Sequence, residues 1–164
     1  MSLINLYIVT FDNDSSAQKL LEDIEGATQE GTFDFIDAAV LIHKEDGHID
    51  ISETSDPSTN RGAVVGGIVG GVIGLIGGPV GAGLGAAAGA AIGGFATSRM
   101  DLGIPDDELK SIADSLPPGT SALVIIIKDA WVDKLFTTCS EYECEIMEQE
   151  LSEEVIAELT DESN

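Results

Sequence analysis

Few side chains in this chain stand at spacings that chemistry could use. His43 and His48 flank the turn Glu45-Asp46-Gly47, with Glu45 or Asp50 close by, which would be the donor set of a surface metal site. Two solvated hairpin histidines are the simpler expectation. Gly83, Gly85 and Ala88 spell G-x-G-x-x-A, a phosphate-cradling fingerprint when it joins a strand to a helix. Here it falls inside a glycine periodicity that produces such matches by chance. The run Asp12-Asn13-Asp14-Ser15-Ser16 has the look of a calcium loop, but Ala17 holds the position that needs glycine, so helix capping is the better account. Cys139 and Cys144 lack the second pair of a zinc site and read as buried apolar fillers. The carboxylates from Glu141 to Glu162 are expected as a solvated acidic face. No Ser/His/Asp or Cys/His set can be assembled from local motifs. The expectation is a protein that is not an enzyme, with no catalytic, cofactor-binding or metal-binding residue assigned.

The elements that would position any site follow from composition and periodicity. A chain of 164 residues suits one compact domain with an appendage. Its 30 acidic residues against 7 basic ones, a net charge of −23, exclude a nucleic-acid backbone as partner and argue against docking on anionic lipid. The two cysteines fit a reduced, cytosolic compartment. The opening run, MSLINLYIVTFDND, lacks a basic region and a small-residue cleavage site, and reads as a strand rather than a signal peptide.

Residues 3–11, LINLYIVTF, form a buried strand. Ala17, Leu20, Leu21 and Ile24 then recur at i, i+3, i+4 and i+7, the apolar face of a helix that ends between Gly26 and Gly31. Residues 33–44 and 48–53 read as two strands of a hairpin, the second alternating through Ile49 and Ile51. Farther on, Leu109, Ile112, Ala113 and Leu116 repeat the helical spacing until Pro117-Pro118-Gly119, and residues 121–128 form a central strand. A last helix carries Val132, Leu135, Phe136 and Cys139, and in the strand after it Tyr142, Cys144 and Ile146 alternate with Glu141, Glu143 and Glu145. The order predicts an α+β fold with a ferredoxin-like, split βαβ antiparallel sheet. In this reading residues 1–58 are its first half, 59–100 an inserted glycine-rich hairpin, and 101–164 its second half with the extra helix, strand and acidic tail.

The insertion has its own spacing. Glycines stand at Gly62, Gly66, Gly70, Gly74 and Gly78, and again at Gly81, Gly85, Gly89 and Gly93, either side of Gly78-Pro79. Two helices joined by a tight turn are implied, each with a side-chain-free row that lets a second backbone approach closely. In water each interior glycine costs about 1 kcal/mol relative to alanine, so the surroundings must supply the difference. Residues 62–98 carry no charge, and Arg61 and Arg99 stand at the two mouths of the hairpin, matching the positive-inside pattern of a membrane insertion. Halved by the turn, however, the segment gives helices of about 16 residues, roughly 24 Å long, against a bilayer core of about 30 Å. Burial of the hairpins between subunits, with Arg61 and Arg99 as caps, meets the same need without lipid.

The stretches AAVLIHKEDGHI (38–49), the glycine-rich hairpin, and above all DLGIPDDELKSIADSLPPGTSAL (101–123) and DAAVL (37–41) resemble the prokaryotic family called domain of unknown function 1269, whose members are often labelled predicted membrane proteins. The resemblance covers nearly the whole chain. It implies this arrangement and a membrane association, and it carries no activity and no catalytic residues.

The expected protein is thus a homo-oligomer, its partners other copies of itself and the lipid bilayer, without nucleic acid. Its zipper hairpins pack in or on the cytoplasmic membrane, with the acidic domains on the cytosolic face. The alternative is a soluble cytoplasmic ring, cage or filament. Either way the charge excess repels itself across a screening length that shrinks from about 30 Å at 0.01 M salt to about 3 Å at 1 M. The melting temperature followed by circular dichroism should therefore rise between those salt concentrations; a flat or falling series would contradict this reading of the charge.

Overall fold

A computed structural model of the chain describes residues 4–53 and 111–151, without Ala113, together with Glu153, Ile156 and Ala157. Five strands form one antiparallel sheet: β1 (Ile4–Phe11), β2 (Asp37–His43), β3 (Ile49–Glu53), β4 (Thr120–Lys128) and β5 (Cys144–Gln149), in the spatial order β3-β2-β4-β1-β5. Among the described residues two complete α-helices accompany it, α1 (Ser16–Gln29) and α2 (Val132–Cys139), the latter entered through a 3-10 turn at Asp129–Trp131. The fold class is α+β, as expected. The glycine-rich segment, with Gly62 to Gly93, Arg61 and Arg99, lies outside the described residues, as does the acidic tail beyond Ala157.

Burial decides where each strand sits. Every residue of β4 from Thr120 to Ile127 is buried, so both of its faces need cover and it belongs in the middle of a sheet. It pairs with β1 on one side, Tyr7 opposite Ile125, and with β2 on the other, Val40 opposite Leu123. Ile49 and Ile51 of β3 alternate with Asp50 and Ser52, a pattern that covers only one face, and β3 lies at the rim beside β2.

This arrangement corrects the sequence reading in one respect. That reading took residues 48–53 as the third strand of the split βαβ order and the helical spacing through Ile112 and Leu116 as its second helix. Instead β1-α1-β2 straddles β4, and β4-α2-β5 straddles β1. The helix and strand expected as an extension are the second crossover unit.

The two faces of the sheet have different covers. On one, Tyr7, Val9, Leu123 and Ile125 pack against Leu20, Leu21 and Ile24 of α1 and Leu135 and Cys139 of α2. On the other, Leu6, Ile8, Leu41, Val124 and Ile126 pack with Ile112, Leu116 and Leu151. The apolar spacing through Ile112 and Leu116 thus serves the face opposite α1. Each large side chain so enclosed contributes about 1.5–3 kcal/mol of transfer free energy.

Helix ends follow local chemistry. Asn13 Oδ1 accepts from the backbone N–H groups of Ser15 at 3.0 Å and Ser16 at 2.7 Å, so the Asp12–Ser16 run caps α1. At the other end Gly31, with φ of 78°, lets Thr32 N–H reach Ala27 O at 2.9 Å while its own N–H donates to Thr28 O at 3.1 Å, the paired bonds of a Schellman stop. Gly119 enters β4 with φ of 90° and donates its N–H to His43 O at 2.7 Å.

Two glycine replacements should therefore have opposite signs in urea unfolding. Gly26 is helical with nothing within 4 Å of an added Cβ, so Gly26→Ala should stabilise by about 0.5–1 kcal/mol through helix propensity. Gly119→Ala must hold a left-handed backbone with its Cβ 3.4 Å from Glu45 Cγ, and should destabilise by about 1–2 kcal/mol. Equal shifts would refute the assigned backbone conformations.

Candidate functional site

Because β4 and β5 both run antiparallel to β1, the end of β1 meets the beginnings of the other two. Phe11 lies opposite Ser121 on one side and Cys144 on the other. Segment 114–117 passes the same end, and together they line a cleft of about 410 Å³ with the carboxylates of Asp12, Asp114, Glu143 and Glu145 on its walls. No lysine, arginine or histidine is among its lining residues. Such a wall draws cations and repels anions.

The hydroxyls there hold the fold. Ser115 Oγ donates to Ile112 O at 2.6 Å and Thr120 Oγ1 to Pro117 O at 2.6 Å. Next to the cleft, Ser121 Oγ donates to Asn13 O at 2.7 Å and accepts from Ala17 N–H at 3.3 Å, tying β4 to the start of α1. None of these hydroxyls is paired with a base. Among the described residues no group of three or more His, Cys, Asp or Glu side chains is arranged to hold a metal ion.

The histidines do not converge. His48 is exposed, whereas His43 is buried, which corrects the expectation of two solvated imidazoles. His43 Nδ1 lies 2.8 Å from Leu116 O. Asp50 is taken by Lys44, Nζ to Oδ2 2.9 Å, and each group holds the other charged: the Lys44 ammonium is raised by its bond to Asp50, and the Asp50 carboxyl is lowered by the bond from Lys44. Both side chains are about half exposed, so the pair adds little stability.

Cys139 is buried, as a filler would be, whereas Cys144 is only half-buried. Trp131 stacks at a tilt on Phe33, ring centroids 5.8 Å apart, at the entry to α2. Tyr142 donates a short hydrogen bond to Asp23 of α1. Burial, then that bond, raises its phenol above the ordinary range. Tyr7 is raised too, by burial first and then by the charge of Glu148. Neither phenol is a nucleophile near neutrality. Among the described residues no helix is long and apolar enough to cross a membrane.

A family model described as protein of unknown function (DUF1269) matches residues 63–163. The chain belongs to this family. No curated protein and no solved structure matches it. The match covers the glycine-rich segment, β4, α2 and β5, so the cleft of this DUF1269 protein is built partly from matched residues and partly from the end of β1, which lies before them.

One contact in the DUF1269 chain was illegible in sequence and joins two layers: His43, at the end of β2 and on the same face as Leu41, reaches the carbonyl of Leu116 in the segment covering that face. A carbonyl can only accept, so Nδ1 carries the proton. His43→Leu removes the donor and should cost about 1–3 kcal/mol in urea unfolding. His43→Asn, whose Nδ2 stands near the place of Nδ1, should recover a measurable part of that loss. Equal losses in the two variants would show that the hydrogen bond is not what matters.

Proposed function

We propose that this chain is a non-enzymatic homo-oligomer whose residues 59–100 form a glycine-zipper helical hairpin. The hairpins pack together in or on the cytoplasmic membrane, and the acidic α+β unit faces the cytosol. One observation carries the proposal: glycine at every fourth position from Gly62 to Gly78 and from Gly81 to Gly93, in a run without charge between Arg61 and Arg99. Such rows bring helical backbones together, and apolar surroundings are what make glycine-rich helices tolerable.

Three features support the reading. Glu53 ends β3, and Ile112 packs on the same sheet, so the residues on either side of the glycine-rich segment belong to one body. Flanks that meet on one body suit a hairpin between them. The net charge of −23 keeps the sheet unit off anionic headgroups, leaving the uncharged segment as the part that can meet lipid. Further, the order β2-β4-β1-β5 with two interleaved crossovers supports a ferredoxin-like centre, to which β3 is an added rim strand.

A specific observation favours a second reading, a soluble ring, cage or filament. The helices reach roughly 24 Å at 1.5 Å per residue, short of the bilayer core of about 30 Å, and the half from Gly81 to Gly93 is mostly glycine and alanine. Cell fractionation followed by sedimentation separates the two. Recovery in the membrane fraction, released by detergent, supports the first reading; a large particle in the detergent-free soluble fraction supports the second and overturns the first. Replacing Gly70 and Gly74 by leucine should break the assembly in either case, and an unchanged particle size would refute the zipper.

A further inference from the structure

Beyond that reading, and independent of it, the turn between α2 and β5 places two sulfurs together. Cys139 is the last residue of α2 and Cys144 the first of β5. The turn is tight: Ser140 N–H donates to Phe136 O at 3.0 Å and Tyr142 N–H to Cys139 O at 2.9 Å. This folds the chain back so that the Cys144 thiol donates to that same Cys139 carbonyl oxygen at 3.6 Å, and both cysteines belong to the same apolar cluster. Cys139 is 1% exposed and out of reach of a reagent, while Cys144 is half-buried at the head of a rim strand.

We infer that Cys139 and Cys144 form a redox-active dithiol that a low-molecular-weight disulfide converts into an intramolecular disulfide, joining the end of α2 to the start of β5. Access fixes the order of events. The Cys144 sulfur attacks one sulfur of the small disulfide; that S–S bond breaks, one small thiol departs with the Cys144 proton, and a mixed disulfide remains on Cys144. The Cys139 sulfur then attacks Cys144 Sγ, expels the second small thiol with the Cys139 proton and closes the ring. The protein loses two electrons and two protons, and the small disulfide is reduced to two thiols.

The surroundings agree with this division of roles. Burial, then the charge of Cys144 and the hydrogen bond to it, pushes the Cys139 thiol up to about 12, so it ionises last. Burial also raises Cys144, but the bond from Cys139 works against that rise. The difference in exposure makes Cys144 the entry point and Cys139 the resolving group.

Because Cys144 lines the carboxylate cleft, the probe is a cationic disulfide: full-length protein incubated with cystamine, then alkylated and weighed intact, tests this. The wild type should lose two hydrogen masses and resist alkylation at both cysteines, run as an unlinked chain on a non-reducing gel, and revert with dithiothreitol. Cys139→Ser should stop at a cysteamine adduct on Cys144, and Cys144→Ser should stay unmodified. Cys139→Ala serves in place of the serine variant if serine is not tolerated in the core, its fold checked by circular dichroism. A wild type that keeps the adduct, links chains or does not react, or a Cys144→Ser protein that reacts as fast as the wild type, overturns the proposal.

Discussion

The described structure depends on β4 being apolar on both faces. A strand whose side chains from Thr120 to Ile127 are all out of water cannot border solvent on either side, so the sheet must be covered twice. The chain meets that demand with unlike materials. Two amphipathic helices, each from a crossover connection, close one face. Ile112, Leu116 and Leu151, from segments on either side of β4 in sequence, pack on the other. The second cover is reached only after the long stretch between β3 and Ile112. The core is therefore complete only when parts distant in the chain come together, and formation of the β1–β4 pairing spans most of its length.

Electrostatics runs through the same frame. With so few cations, carboxylates at the end of the sheet have little to pair with, and Asp12, Asp114, Glu143 and Glu145 share the walls of one cleft. Polar groups inside the layers are handled differently. Ser121 bridges β4 and the start of α1, and His43 bridges β2 and Leu116, each through bonds to backbone rather than to charge. Such contacts orient layers against one another where apolar packing alone leaves the angle loosely set.

Much of this was readable beforehand, for local reasons. The i, i+3, i+4, i+7 spacing through Ala17 and Ile24 yields α1 with those residues inward, and the cap at Asn13 and stop at Gly31 lie where residue chemistry puts them. The strand order was not so readable, although β4's unbroken apolar run and β3's alternation carried the clue to which was central and which marginal. The cleft was hidden because its carboxylates come from three separated stretches that only the topology unites. The same holds for Tyr142 and Asp23, 119 positions apart. Of the residues singled out for helix packing, all lie in the glycine-rich stretch, so their role rests on spacing.

β5 borders the sheet on one side, and a border strand has unsatisfied backbone groups that invite another strand. Here Glu145 and Glu148 project from it, both exposed, with Glu143 just before. A second copy adding antiparallel along this border would set carboxylate against carboxylate. The border thus acts as a guard against runaway sheet growth.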